Sequence, residues 1–312
     1  MYSSVVRSDE NILRLLDFVQ REYGISAAIF TPAERGFYGE TWRLDEVGDS
    51  GESYFLKLVY AVEHKDTYMH SFPVIEYLCD HGIDFVGRVV KTKYGKLYAK
   101  FDGAILGIFH WINGDLTESD ETKIPEYQML AKVYTVPTSS LDIPREDFLG
   151  SSGHIFFTRW SNFDSSYEEN LINLFDKYRS KLEHRGKRLK HFAALCSADA
   201  GEYFITHGDA GGNLIVDGEK YHIVDWDTAI LAPPERDAWV MCSKDWAREA
   251  FENALHQKGI NHALRPEHMA YYCYYFFFYY LNAFLDASSS ADIIEEYING
   301  WIEDSIRYCD EL

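Results

Sequence analysis

The sequence predicts an α+β fold: a small antiparallel sheet with one helix in the first third, then a mainly helical remainder interrupted by one hairpin. Three observations carry this. Apolar stretches of strand length come in pairs around turn residues: 37–47 and 54–59 flank Gly48-Asp49-Ser50-Gly51, and 97–100 and 106–109 flank Asp102-Gly103. Beyond about residue 111 the apolar period becomes helical. The exception is 214–224, which reads as two strands around Asp217-Gly218.

Taken in order, residues 9–23 set Ile12, Leu15, Leu16 and Val19 at helical spacing, an amphipathic opening helix. The two strands at 37–47 and 54–59 follow, with Lys57 inside the second one, among Phe55, Leu56, Leu58 and Val59. Tyr68, Phe72, Ile75 and Leu78 predict a helix over 67–80, stopped at His81-Gly82. The tract 167–195 carries Leu171, Leu174, Phe175, Tyr178 and Leu182 on one helical face, and its basic stretch 185–190 reads as a break or an exposed face. Three further helices are expected around 236–257, 266–286 and 291–309. The run Tyr271 to Tyr280 suits core packing or a ring-lined groove, with core favoured for most rings.

Composition narrows the function. With 46% hydrophobic residues and only 8 prolines the chain is globular. Fifty acidic residues against 30 basic ones give a formal charge of -20, which repels nucleic-acid phosphates and anionic membranes and attracts a cation. Nucleic acid and membrane are therefore not expected partners. The five cysteines are scattered, without a close metal-ligand pair, as in a reduced cytoplasmic protein. The early charges Arg7, Asp9, Glu10 and Arg14 do not read as a secretory signal, and the aromatic segment 270–285 is too short to span a bilayer.

The chemistry concentrates between 204 and 237. Phosphoryl transfer needs a carboxylate to orient a hydroxyl, oxygen ligands for a cation, and positive charge on the phosphates. Asp209 is placed to orient the hydroxyl, with His207 and Gly208 supporting its loop. Asn213 and Asp225 offer metal-binding oxygens from the two ends of the hairpin. Asp227 suits a second cation, loop order or substrate. Lys57 can neutralise the α- and β-phosphates, with Glu76 or Glu63 as its carboxylate partner. The stretch Gly36-Phe37-Tyr38-Gly39-Glu40-Thr41 offers backbone amides, or Thr41 itself, to phosphate. Glu235, Asp237 and Trp239 are candidates for a substrate mouth that takes ammonium groups.

The order Lys57, His207-Gly208-Asp209, Asn213, Asp225-Trp226-Asp227 resembles the aminoglycoside phosphotransferase and choline-kinase-like superfamily. Leu231-Ala232-Pro233-Pro234-Glu235-Arg236-Asp237 is similar to the spectinomycin phosphotransferase branch. The resemblance implies a bilobal, protein-kinase-like fold, with a nucleotide-binding lobe at 1–109 and a helical catalytic and substrate lobe at 110–312. It also implies ATP, or GTP, with Mg²⁺ as cofactors. Phe109, His110, Trp111 and Ile112 match the interlobe connection whose backbone binds adenine. One position departs from the pattern: Asn213 follows Asp209 by four residues, where five is common in that family.

The expectation is phosphorylation of a hydroxyl on a small cationic molecule, first an aminoglycoside or spectinomycin-like antibiotic. The alternatives are a choline, homoserine or sugar-like metabolite kinase, and a catalytically inactive kinase-like protein that binds a small molecule.

Overall fold

The computed structural model describes residues 9–33, 39–46, 51–163, 169–199, 201–300 and 302–310. The turn 48–50 and Gly36, Phe37 and Tyr38 lie outside these. By packing, the chain forms two compact units, one of residues 1–143 with 207–229, the other of 144–206 with 230–312.

The first unit opens with α1 (Asp9–Tyr23), then β1 (Ala27–Pro32), β2 (Gly39–Glu46) and β3 (Ser53–Val59). After α2 (Val62–Asp80), β4 (Ala99–Phe101) and β5 (Ala104–His110) close a five-stranded sheet ordered β1-β2-β3-β5-β4, antiparallel throughout. Alternation decides its burial: Leu56 and Leu58 of β3 are fully buried with Trp42, Leu44, Leu106 and Ile108, under Leu15 and Val19 of α1. The β4–β5 turn uses Asp102 and Gly103 at φ 46° and 82°, the left-handed pair that a tight hairpin requires.

Register then fixes the surroundings of Lys57, which stands opposite Thr41 on β2 and Gly107 on β5. A Cβ on Gly107 would come within 2.5 Å of Phe72 Cζ and the Tyr68 hydroxyl, so only glycine lets α2 lie this close to the sheet. Helix α2 starts five residues earlier than expected, because its first turn, Val62 to Asp66, has no apolar face to reveal it.

Next come β6 (Asp115–Leu116) and α3 (Asp120–Val133). The hairpin β8 (Leu214–Asp217) and β9 (Lys220–Ile223) pairs with β6 in a second sheet, ordered β6-β8-β9. The three-residue 3₁₀ turn Trp226–Thr228 follows β9.

The second unit contains α4 (Ser151–Ser161), α5 (Glu169–Lys177), α6 (Arg179–Ala198), the pair β7 (Phe204–Thr206) and β10 (Ile230–Ala232), α7 (Glu235–Ala238), α8 (Asp245–Gln257), α9 (Pro266–Asp286), α10 (Ala291–Ile298) and α11 (Ile302–Asp310). The tract 167–195 breaks at Tyr178, not at the basic stretch. Arg185 is buried inside α6, its guanidinium 4.3 Å from the Phe277 ring and paired with Glu303, so the stretch begins as a packing element. Gly186 admits the Phe157 ring, whose Cε2 would sit 2.4 Å from a Cβ there.

Two of the three C-terminal helices are divided: 236–257 into α7 and α8, and 291–309 into α10 and α11 around Asn299-Gly300. The aromatic run on α9 is core, with Tyr271, Tyr272, Tyr274, Phe277 and Phe278 fully buried. Among the described residues no helix is long and apolar enough to cross a membrane. All five cysteines are free thiols.

Candidate active site

The loop from His207 to Asn213 and the hairpin after it form one hydrogen-bonded block. Val224 N donates to Asn213 O at 2.9 Å, which closes the hairpin and sets Asn213 beside the residue preceding Asp225. Asn213 turns back on its own loop, with Nδ2 donating to Asp209 O at 2.8 Å and to Asp209 Oδ2 at 3.0 Å. The four-residue spacing is thus spanned by a single side-chain amide. Gly208 and Gly211 sit at φ 85° and 96°, where a side chain would strain the turn, whereas Gly212 has no such φ.

His207 is fully buried and ties the loop to the hairpin. Its Nε2 lies 2.8 Å from Val224 O, and Nδ1 accepts from Asp209 N at 3.1 Å, which assigns the proton to Nε2. The ring meets Trp226 edge-on at 4.6 Å, Trp226 Nε1 donates to Ile223 O at 2.9 Å, and Thr228 Oγ1 donates to His207 O at 2.9 Å.

Lys57 meets this block through two carboxylates, with Nζ 2.8 Å from Asp225 Oδ1 and 2.6 Å from Asp227 Oδ2. The Lys57 side chain is 10% exposed, that of Asp225 43% and that of Asp227 23%. Burial opposes the charge on Lys57, but the two carboxylates override it and raise its pKa. The aspartates diverge. Burial opposes ionisation of Asp225, yet Lys57 holds its carboxyl below the usual range. Burial, with the charge of Asp225 beside it, pushes Asp227 up to about 7 against the pull of Lys57. Asp225 itself stands in the left-handed region at φ 64°, ψ 56°, a conformation costly for a non-glycine residue and held here by the hairpin and the 3₁₀ turn.

The carboxylate partner of Lys57 is therefore not Glu76, and this expectation is corrected. Glu76 pairs with Lys91 at 2.8 Å, leaving its buried Oε1 without a hydrogen bond, while Asp225 and Asp227 take Lys57. The Glu63 side chain lies outside the described residues. Thr41 Oγ1 donates to Ala33 O at 2.9 Å, so its hydroxyl serves the backbone here. Phe109 and His110 end β5 opposite Phe55 and Tyr54, Trp111 N donates to Ser53 O at 3.0 Å, and the half-buried Ile112 continues the chain beyond the sheet.

Glu235, Asp237 and Trp239 do not form an open mouth, which corrects the second expectation. Glu235 is fully buried, Asp237 is 1% exposed, and Trp239 stacks on Phe276 at 5.3 Å. Glu235 Oε1 accepts from His262 Nε2 at 2.9 Å and from Arg265 N at 2.7 Å, which makes it an internal anchor of the second unit. The run of Pro233 and Pro234 hid this burial, since charged residues after a proline pair read as a solvated helix start.

One residue that contacts the loop escaped the sequence reading. Glu126 on α3 is buried, and its Oε1 accepts from Gly211 N at 2.9 Å. Its signal is a carboxylate on the stripe that also buries Tyr127, Leu130 and Ala131.

Among the described residues no three His, Cys, Asp or Glu side chains form a metal cluster. The available oxygens are the two carboxylates of Asp225 and Asp227 and the amide oxygen of Asn213, whose nitrogen is committed to Asp209. All are hard donors, as Mg²⁺ prefers, and a magnesium ion that keeps several waters needs no more than this from a protein. The set fits the ion.

Comparisons with known proteins identify the family and the fold. The chain matches the sequence profile of the phosphotransferase enzyme family over residues 29–271. No curated protein sequence matches it. Among solved structures it is similar to a spectinomycin phosphotransferase in complex with ADP and spectinomycin, at TM-score 0.73 and 18% identity, covering 96% of this chain and 98% of that one. It is also similar to the ethanolamine kinase of Plasmodium vivax (TM-score 0.64, 13% identity, 97% and 89% covered). A third likeness is to the macrolide 2′-phosphotransferase of Brachybacterium faecium (TM-score 0.60, 14% identity, 92% and 98% covered). The α+β architecture and the superfamily resemblance expected from the motifs are both borne out. By the extent of the profile match, the chain belongs to the phosphotransferase enzyme family.

Proposed function

We propose that this protein transfers the γ-phosphate of ATP to a hydroxyl of a small cationic molecule, in the first place an aminoglycoside or spectinomycin-like antibiotic. The observation that carries the reading is the joining of Lys57 to Asp225 and Asp227, and of Asp209 to Asn213, in one hydrogen-bonded block. A phosphoryl transfer centre needs this combination of cation, hydroxyl-orienting carboxylate and hard oxygen ligands.

In this reading residues 1–109 bind the nucleotide and the backbone of 109–112 receives adenine. Asp209 accepts the hydrogen bond of the acceptor hydroxyl, aims its oxygen along the line of displacement and takes its proton as the new O–P bond forms and ADP leaves. His207, with its proton on Nε2 held by Val224 O, orders the loop and takes no proton from substrate. Lys57 exchanges its aspartate contacts for phosphate oxygens when nucleotide enters. Asn213 and Asp225, with Asp227 beside them, would hold Mg²⁺, which would neutralise phosphate charge. The net charge of -20 favours a cationic acceptor.

The test is product mass spectrometry after incubation of purified protein with ATP, Mg²⁺ and a panel of spectinomycin, aminoglycosides, choline, ethanolamine, homoserine and methylthioribose. A phosphorylated antibiotic that disappears in Asp209→Asn supports the reading. Phosphorylation of choline or a sugar alone moves the acceptor to the metabolite class. Nucleotide binding without transfer to any compound refutes catalysis and favours a kinase-like binding protein.

A further inference from the structure

Helix α3 carries a carboxylate where its neighbours are apolar. Glu126 is 3% exposed, on the face that buries Tyr127, Leu130 and Ala131. Burying an anion is costly unless strong hydrogen bonds hold it, and a leucine or methionine would fill the space without that cost. Its Oε1 accepts from Gly211 N at 2.9 Å. Gly211 lies midway between Asp209 and Asn213, with φ at 96°.

Other bonds hold the loop on either side of Gly211. Asn213 Nδ2 binds Asp209 O and Oδ2 across its ends, and His207 Nδ1 receives Asp209 N. Neither restrains the peptide at Gly211, where a glycine outside the usual φ range can rotate with little steric resistance. A change there swings Asp209 and Asn213 relative to each other, because a single residue separates Gly211 from each. A charge-assisted bond to that single N–H is about twice as strong as a neutral one, which suits a restraint on a short, glycine-rich turn.

We propose that Glu126 is a positioning residue for phosphoryl transfer: it locks the Gly211 peptide so that Asp209 and Asn213 present their oxygens in one fixed relation. The inference rests on the kinase reading given above. It assigns Glu126 no contact with substrate.

The experiment compares the full-length wild type with Glu126→Gln, which keeps an acceptor oxygen, and Glu126→Met, which keeps length without one. Three readouts are taken: kcat and nucleotide KM with the best acceptor, amide hydrogen exchange at 210–213, and thermal midpoint. Glu126→Met is expected to lose about 100-fold in kcat, the scale of an ångström-sized misplacement, with nucleotide KM within about threefold. Its Gly211 amide exchanges about tenfold faster, as the loss of one hydrogen bond implies. Glu126→Gln recovers kcat to within about threefold of the wild type. The proposal is overturned if kcat in Glu126→Met stays near wild type, if both variants lose kcat equally, or if Gly211 exchange does not change. Where Glu126→Met does not fold, Glu126→Ala with the same readouts replaces it. If the wild type transfers phosphate to no acceptor, the kinase reading fails separately, and exchange at Gly211 still decides whether Glu126 fixes the loop.

Discussion

Replacing Lys57 with methionine keeps a side chain of similar length and removes the ammonium that Asp225 and Asp227 share. At the observed 2.8 and 2.6 Å, each contact is worth ~6 kcal/mol in Coulomb energy at an effective dielectric of ~20, before desolvation. Desolvation of a side chain only 10% exposed offsets most of this. Breaking a buried pair typically costs about 3–5 kcal/mol, and the 43% exposure of Asp225 lets water recover part, so the expected loss is about 3 kcal/mol. For a unit of this size that is a fall in thermal midpoint of roughly 6–12 °C. The penalty should shrink at low pH, because Asp227, already pushed up to about 7, then takes a proton and no longer leaves a second buried charge. The assay is denaturant unfolding of ligand-free wild type, Lys57→Met, Asp227→Asn and the double variant, at pH 6 and 8. A coupling energy of at least about 1 kcal/mol is expected between the two sites. Stability of Lys57→Met within about 0.5 kcal/mol of wild type, or a coupling that small, refutes the shared-cation account.

Other outcomes follow from individual contacts. Gly107→Ala forces a methyl group to within 2.5 Å of Phe72 and Tyr68 and should destabilise by about 1–3 kcal/mol, measured by urea midpoint. Burial pushes His268 down to about 4, against the pull of Glu235. The unfolded chain therefore holds the extra proton between about pH 6.5 and 4, and stability is lost as pH drops through that window, by up to about 1.4 kcal/mol per unit. His268→Phe should flatten this slope, and an unchanged slope assigns the acid loss elsewhere. Asn213→Ala should raise the Mg²⁺ concentration for half-maximal turnover by about tenfold or more, read from a magnesium titration at saturating ATP.

Much of the first sheet was legible because its strands carry local signatures. Asp102-Gly103 marks its turn, and Leu56 and Leu58 alternate with Lys57, so both pairing and face could be read from neighbours in the chain. The opening helix was legible for the same reason, since its apolar stripe repeats within three turns. Helix boundaries in the second unit were not. The basic stretch from Arg185 looked like a break because charge is usually solvated, whereas Glu303 and the Phe277 ring, more than ninety positions away in sequence, bury Arg185. Glu235 and Asp237 looked exposed for the same reason, and His262 and the Arg265 backbone reverse it.

The sequence alone determined the chemical inventory: a lysine within a strand, the turn His207-Gly208-Asp209, and an amide and a carboxylate at the two ends of a hairpin. These were readable because short turns and hairpins impose proximity on residues near one another in the chain. Tertiary structure decided which charges meet. Lys57 is 168 residues from Asp225, and no local rule distinguishes that carboxylate from Glu76, which lies far closer in sequence and binds Lys91 instead. Packing of α3 against the loop likewise turned Glu126 from a surface-type residue into a buried hydrogen-bond acceptor. Partner choice among charges depends on distance and shared desolvation in the folded state, and neither quantity is encoded by spacing along the chain.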